Sequence, residues 1–287
     1  MSPGALGSRS ELTDVRSTRV KAAKRLLKRS FREQDRAFLA EGPQAVREAL
    51  INAGDSGTGV RELFVTAEAR GRHPELMERA VALGVPVHLA SGAVLGELSD
   101  TVTPQGVVAV CDVLDVSLAA ALQTSRDADV PALFVMLAAV RDPGNAGTVL
   151  RTADAAGASA VVFSDTSVDP YNGKCVRASA GSVFHLPIVV GEPILAAVDA
   201  SRSAGHQVFA ADSSPAAVSL HELDRDGRLA KPTTWIFGNE AWGLPIDIVQ
   251  AADVAVRVPI YGRAESLNLA AAAAVCLYAS ARARRPA

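Results

Sequence analysis

The sequence predicts an α/β protein with two domains, and three observations support this. Short β-prone runs alternate with helical segments along most of the chain, a pattern typical of sheets layered with helices. In the second half the alternation is strict, which predicts a parallel sheet with helices on both faces. The length of 287 residues also exceeds the roughly 100–200 residues of one domain. We expect a disordered lead-in at 1–18, a first domain at 19–122, a linker at 123–130 and a second domain at 131–287.

The composition excludes several classes of protein. A formal net charge of −2 excludes a uniformly basic nucleic-acid binder, so any RNA contact needs a local patch. The cysteines, Cys111, Cys175 and Cys276, suit a reducing cytosol and lack the spacing of a zinc site. The N-terminus has no apolar signal core, and the apolar segment 267–281 is shorter than the ~20 residues that span a membrane. We therefore expect a cytoplasmic protein without a metal or a membrane partner.

A basic segment opens the first domain. Helical spacing places Leu26, Leu27 and Phe31 on an inner side and a group of cations on the exposed side, namely Lys21, Lys24, Arg25, Lys28 and Arg29. Such a run is often only a solvated helix face. Because the chain as a whole is slightly acidic, this local concentration favours phosphate contact.

The remaining elements follow in order. In the first domain the patterns predict helices at 43–53, at 74–83 and from Ser91, and strands at 63–66, 85–89 and 107–110. In the second domain they predict strands at 132–138, 160–163, 187–190, 207–211 and 233–237. The predicted helices there are 143–156, 174–180, 194–204 and 267–284.

Three turns after strands carry polar residues. In the first, Asp142 and Pro143 are expected as the N-cap and first residue of a helix, with Arg151 on the same helix as Gly144 and Gly147. Parallel sheets bind ligands at such turns.

The other two turns lie in the last third of the chain. One strand ends at Gly238, where a missing Cβ lets backbone approach a ligand, and Glu240 lies on the turn that follows. The other turn leads to Ser266, the expected N-cap of the last helix, with Asn268 in its first turn.

These turns resemble the three motifs of a known family. The motifs are Arg-Asp-Pro-Gly-Asn-Ala-Gly-Thr-Val-Leu-Arg-Thr-Ala at 141–153, Ile-Phe-Gly-Asn-Glu-Ala-Trp-Gly-Leu at 236–244, and Val-Pro-Ile at 258–260 with Ser-Leu-Asn-Leu-Ala at 266–270. In order and spacing they are similar to those of the SpoU (TrmH) family of RNA ribose 2′-O-methyltransferases, within the SPOUT superfamily. Residues 130–284 carry the strong resemblance, and the N-terminal part resembles the ribosomal-protein-like substrate-binding domain of ribosomal-RNA members.

The resemblance implies a fold and an activity. It implies a deep trefoil knot in the parallel-sheet domain, which periodicity alone would never suggest. It implies methyl transfer from S-adenosyl-L-methionine to a ribose 2′-hydroxyl, with 23S ribosomal RNA as the first expectation. It also implies a homodimer that buries the last helix and completes the active site.

Carried over by position, the resemblance assigns roles to individual residues. Donor-binding positions are Gly238, Val258, Ile260 and Leu267, and polar active-site positions are Asn145, Arg151, Glu240, Ser266 and Asn268. A guanidinium is a poor base, so we expect Arg151 to stabilise the alkoxide, oriented by Asn145 and Glu240. Lys174 and Arg177, one helical turn apart, are expected to hold a phosphate, or else to be solvated cations.

Alternatives remain open at this point. A Rossmann-type dehydrogenase has the same alternation, but the turn at 142–147 lacks the dinucleotide fingerprint. A transfer-RNA methyltransferase and a non-catalytic RNA-binding or ribosome-assembly factor with the same knot are the other candidates. The intact polar set argues against the last of these.

Overall fold

The computed structural model describes residues 11–56, 59–124 and 129–285. Contacts divide these residues into two units. The first comprises the chain up to Val113 together with Tyr171–Arg177, and the second comprises Leu114–Pro170 and the chain from Ala178 onwards. This division falls earlier than the boundary at 122/123 that the sequence predicts. Residues 125–128 of the predicted linker lie outside the described residues.

The first unit contains a mixed sheet in the order β1-β4-β2-β3, with β4 antiparallel to β1 and β2, and β3 parallel to β2. The strands are β1 (Ala37–Glu41), β2 (Val60–Val65), β3 (Val87–Leu89) and β4 (Val107–Asp112). The helices are α1 (Thr18–Lys24), α2 (Arg29–Asp35), α3 (Pro43–Ser56), α4 (Ala67–Arg72), α5 (Pro74–Ala82) and α6 (Gly92–Glu97). The sequence patterns miss β1 and α4. Strand β1 has a locally helix-prone sequence, and it is extended because it pairs with β4 along its whole length.

Two predictions for the N-terminal segment are wrong. The basic segment is not one helix, because a 3₁₀ turn follows α1 and Lys28 is extended, with φ −98° and ψ 134°. The lead-in is ordered from residue 11, since Leu12 N donates to Leu89 O at 2.8 Å and Leu12 bridges Ala90. Residues 1–10 lie outside the described residues.

The second unit contains a sheet in the order β7-β6-β5-β10-β8-β11-β9, and every pairing in it is parallel. The strands are β5 (Leu133–Leu137), β6 (Ala160–Ser164), β7 (Ile188–Glu192), β8 (Gln207–Ala211), β9 (Val218–Ser219), β10 (Thr233–Phe237) and β11 (Val254–Arg257). The helices are α7 (Leu118–Gln123), α8 (Pro143–Ala155), α9 (Gly173–Ala178), α10 (Ile194–Ser203), α11 (Leu220–Arg225), α12 (Ile246–Ala251) and α13 (Leu269–Arg284). All but the last residue of α9 belong to the first unit by contacts. The patterns miss the short elements α7, β9, α11 and α12, and they give no bounds for β11.

Helices cover both faces of this parallel sheet, as predicted. Trp235 donates from Nε1 to Ser280 Oγ of α13 at 2.9 Å. The next residue, Ile236, packs in a cluster with Val198 of α10. Because consecutive strand residues point to opposite faces, α13 and α10 lie on opposite sides.

Strand β10 sits between β5 and β8, two strands that are distant from it in sequence. The turns that follow β5, β8, β10 and β11 therefore meet at one edge of the sheet. Ligands of open parallel sheets bind at this edge.

Candidate functional site

The turn between β5 and α8 starts the helix as the sequence predicts. Asp142 is the N-cap, its Oδ1 accepts from the backbone N–H of Asn145 at 2.8 Å, and Pro143 occupies the first helical position. This cap fixes where the side chain of Asn145 leaves the helix.

Glu240, on the turn after β10, bonds to the start of α8. Its carboxylate accepts from the N–H of Arg141 at 3.3 Å, the N–H of Asp142 at 3.1 Å and Nδ2 of Asn145 at 3.2 Å. Burial by itself would raise the pKa of Glu240, but these bonds and its own backbone N–H together lower it. Glu240 is thus an ionised acceptor at neutral pH.

Asn268 brings the third motif to the same point. Its Nδ2 donates to Asn145 Oδ1 at 3.2 Å, and its Oδ1 accepts from Ala270 N at 2.8 Å as the N-cap of α13. The prediction of Ser266 as this cap is therefore wrong, and so is the placement of Asn268 inside the helix. One amide side chain caps a helix and also joins two motifs, because its oxygen and nitrogen serve separate partners.

Gly238 is required by the protein's own backbone. A Cβ at this position would lie 2.5 Å from the carbonyl carbon and oxygen of Gly243 and 2.6 Å from Leu244 N. The close approach comes from the turn folding back, where Asn239 N donates to Gly243 O at 2.9 Å and Gly243 N to Asn239 O at 3.0 Å. From the sequence we expected glycine at this position because a ligand approaches the backbone. In the structure, glycine is required because the turn itself folds back onto this position.

Asn239 is a site residue that the sequence reasoning missed. It is buried, and its Nδ2 donates to Ala139 O of the β5–α8 turn at 2.8 Å. Its position beside Glu240 in the second motif was the available signal, and its burial requires a hydrogen-bond partner such as Ala139 O.

A cavity of about 720 Å³ opens at the carboxyl ends of β8, β10 and β11. All four predicted donor-binding residues line it, as do Glu240 and Ser266; the four are Gly238, Val258, Ile260 and Leu267. Asp212, Ser213 and Pro215, after β8, also line it and were not predicted. Asn145, Arg151 and Asn268 are not among the lining residues, although Asn145 bonds to Glu240 and Asn268 follows Leu267.

Arg151 is exposed on α8, two turns beyond Asn145. The expected contacts with Asn145 and Glu240 are not formed; those two residues bond to each other instead. Within residues 11–56, 59–124 and 129–285 no hydrogen bond or ion pair occupies the Arg151 guanidinium. It is free to meet a substrate or another chain.

The predicted RNA-binding cations of the first unit divide into two groups. Lys24 pairs with Glu97, Arg25 with Asp35, and Arg29 with Glu33. Lys21 and Lys28 are exposed, and neither has an acidic partner among the residues the structure describes. The latter pair is the part of the segment that is available to phosphate.

Arg177 has a partner that the sequence did not suggest. Its Nη1 lies 2.9 Å from Oε2 of Glu41, which is 8% exposed and also accepts from Ser99 and Thr101. A buried carboxylate needs such a cation, so Arg177 has a structural task. The phosphate contact of Lys174 and Arg177 stays a prediction.

The described part of the chain offers neither a metal site nor a membrane-spanning helix. It contains no cluster of three or more His, Cys, Asp or Glu side chains suited to a metal ion. No helix there is both long enough and apolar enough to cross a bilayer.

The fold and the site define a protein with a helix-covered parallel sheet and a ligand cavity at its strand ends, where three polar motifs meet. Residues 132–278 match the SpoU rRNA Methylase family, and residues 17–109 match the MRM3-like substrate binding domain. The chain belongs to the SpoU rRNA methylase family.

Individual relatives agree with this assignment. The chain is 33% identical over 268 residues to the 23S rRNA (guanosine(2553)-2′-O)-methyltransferase RlmP of Bacillus subtilis (strain 168), covering 93% of this chain and 98% of that protein. It is similar to the crystal structure of an AdoMet-bound rRNA methyltransferase from Sinorhizobium meliloti, with a TM-score of 0.79 and 32% identity over 94% of this chain and 97% of the other. The SpoU methyltransferase AviRb from Streptomyces viridochromogenes in complex with AdoMet gives a TM-score of 0.76 and 29% identity over 92% and 98%.

Proposed function

We propose that this chain transfers a methyl group from S-adenosyl-L-methionine to a ribose 2′-hydroxyl of 23S ribosomal RNA. One observation carries the proposal: Glu240, Asn145 and Asn268, one from each motif, form a continuous hydrogen-bond chain at the rim of the cavity. Relatives that align over nearly the whole chain are named as 23S rRNA 2′-O-methyltransferases. The transfer-RNA and non-catalytic alternatives have no comparable support.

The cavity suits the methyl donor. Its volume of about 720 Å³ lies within the ~300–1,000 Å³ of small-ligand sites. Val256, Val258 and Ile260 supply apolar wall for an adenine, while the carboxylates of Asp212 and Glu240 complement a sulfonium. When bound there, the donor supplies the electrophilic methyl group.

The chain's own residues position the acceptor and stabilise its charge. Methyl transfer needs the ribose oxygen in line with the sulfonium, so positioning is most of the catalysis. We assign Arg151 to the alkoxide, because a nearby cation lowers the pKa of a hydroxyl. Asn145, Glu240, Ser266 and Asn268 form the rim that holds the ribose.

The first unit supplies RNA affinity in this proposal. Residues 17–109 match a substrate-binding domain, and Lys21 and Lys28, which have no acidic partner in the described part of the chain, offer two charges to phosphates. We also propose a cytoplasmic location, which is compatible with a ribosomal RNA substrate.

We further propose a homodimer and a trefoil knot in the second unit. Val275 and Tyr278 of α13 are 42% and 54% exposed, and Trp242 and Ile246 are 63% and 70% exposed. Val275 and Tyr278 leave apolar surface exposed on α13, a helix rich in small residues, and Trp242 and Ile246 add exposed apolar side chains elsewhere in the second unit; these side chains favour a second copy of the chain as the partner. The return of the chain after β10 against the β5–α8 turn, with Asn239 bonded to Ala139 O, is consistent with a threaded crossing.

A methylation assay tests the function. Purified protein is incubated with methyl-labelled donor and 23S rRNA, 16S rRNA or bulk tRNA, and products are mapped by resistance of the 2′-O-methyl linkage to alkali. We expect one protected linkage in 23S rRNA. Label in tRNA alone would indicate a transfer-RNA methyltransferase instead. Donor binding measured by calorimetry, with no label in any RNA, would favour the non-catalytic alternative.

A further inference from the structure

The β5–α8 turn has a complete and unusual set of hydrogen-bond partners. Ala138 N donates to Phe237 O at 2.8 Å, and the N–H groups of Arg141 and Asp142 donate to Glu240. The two N–H groups between them, those of Ala139 and Val140, bond to side chains and not to backbone. They donate to Ser164 Oγ at 3.0 Å and to Ser167 Oγ at 3.1 Å.

Each hydroxyl has a single hydrogen, and this fixes which group donates in each hydrogen bond of the serine pair. Ser167 Oγ donates to Leu137 O at 2.8 Å, because a carbonyl only accepts. The two hydroxyls are 2.9 Å apart, so Ser164 must donate to Ser167. Thr166 Oγ1, 3.1 Å from Ser164 Oγ, must then donate to Ser164. Each serine therefore donates once and accepts twice, which exhausts its capacity.

The turn they hold is strained. Ala139 has φ +54°, a left-handed conformation that costs a residue with a Cβ roughly 1–2 kcal/mol. The N–H of Ala139 donates to Ser164 Oγ, and the carbonyl of Ala139 accepts from Asn239 Nδ2. Strain of this kind persists only where the surroundings over-determine it, and the two serines, 4% and 5% exposed, belong to those surroundings.

We propose that Ser164 and Ser167 are positioning residues for methyl transfer. They hold the turn in the conformation that points the Arg141 and Asp142 N–H groups at Glu240. Glu240 in turn orients the side chain of Asn145, which accepts a hydrogen bond from Asn268. Neither serine lines the cavity, so they act on the acceptor side of the reaction and not on donor affinity. This role rests on the proposed function.

Serine-to-alanine variants test the proposal, and the chain provides a matched control. Ser201 of α10 is also buried, with 0% exposure, and its hydroxyl has no hydrogen-bond partner among the described residues. We expect Ser164→Ala and Ser167→Ala to lower kcat between about 10- and 100-fold, the scale of a displaced reacting group. The Kd of S-adenosyl-L-methionine should stay within about twofold, and Ser201→Ala should change neither quantity.

Amide hydrogen exchange separates positioning from general loss of stability. In Ser164→Ala and Ser167→Ala the amides of Ala139 and Val140 should exchange at least about tenfold faster while that of Val135 in β5 does not, because only local opening is affected. A kcat within twofold of wild type in both variants, or equal acceleration of all amides, overturns the proposal. If the wild type methylates no RNA, the proposed function fails, and the exchange pattern alone decides whether the serines hold the turn.

Discussion

The substitution Gly238→Ala gives the sharpest test of how the second motif is built. The new methyl group would lie 2.5 Å from backbone atoms of Gly243, which cannot rotate away as a side chain does. The turn has to open, and the two backbone bonds between Asn239 and Gly243 lengthen or break. Asn239 and Glu240 on that turn then lose their contacts with the β5–α8 turn.

The magnitude follows from these contacts. Forcing a methyl group into packed atoms costs about 1–3 kcal/mol, and two hydrogen bonds contribute about 0.5–1.5 kcal/mol each. We therefore expect the free energy of unfolding to fall by roughly 2–6 kcal/mol. In a protein of this size that corresponds to roughly 3–10 °C in Tm.

Differential scanning fluorimetry and calorimetric titration with S-adenosyl-L-methionine measure the two effects. Gly262→Ala is the control, because a Cβ there meets nothing within 4 Å and Gly262 lies on the loop of the third motif. We expect the control to keep its Tm and donor affinity while Gly238→Ala loses at least tenfold in affinity. A Gly238→Ala protein with Tm within about 2 °C and affinity within twofold of wild type would refute the steric reasoning.

Three further predictions concern charge. Arg151→Ala should abolish methyl transfer yet leave donor binding by calorimetry unchanged, because Arg151 lies outside the donor cavity; retained turnover would remove Arg151 from the mechanism. Lys21→Glu with Lys28→Glu should weaken RNA binding and make the salt dependence shallower by about 0.7–0.9 for each lost phosphate contact, whereas Lys231→Glu on the second unit should not. The lowered pKa of Glu240 means that its stabilising contribution is full above its ordinary pKa of 4.5 and is lost as the pH falls through its lower folded value. The Tm difference between wild type and Glu240→Gln should therefore be constant near pH 7 and shrink below pH 4.5; a gap that widens in acid would contradict the assignment.

The local sequence was sufficient to predict the bounds of an element when neighbouring residues alone determine where it starts and ends. Helix α8 begins at Pro143 because Asp142 caps it. The capping residue, the proline and the bonded N–H of Asn145 all lie within four consecutive residues. Strands β8 and β10 have the predicted bounds because a run of apolar, β-prone residues ends at a turn. The motif residues were also identified locally, since polar side chains directly after buried strands are typical of ligand sites.

Local sequence failed where a partner distant in the chain decides the conformation. Strand β1 is extended only because β4 lies beside it. The cap of α13 is Asn268 and not Ser266, and the same Asn268 also reaches Asn145, 123 positions away.

The sequence by itself determined the α/β class and the family, and it named the candidate polar site residues, because the spacing of strands, caps and motifs is local information. Only the tertiary structure decided which donor meets which acceptor: Glu240 with the α8 N-terminus across 95 positions, Asn239 with Ala139, and the Ser164–Ser167 pair with a left-handed turn. The first two contacts depend on β10 entering the sheet between β5 and β8, and the third depends on β6 pairing with β5. Strand order depends on how the whole chain packs, so it cannot be predicted from any short stretch of the sequence.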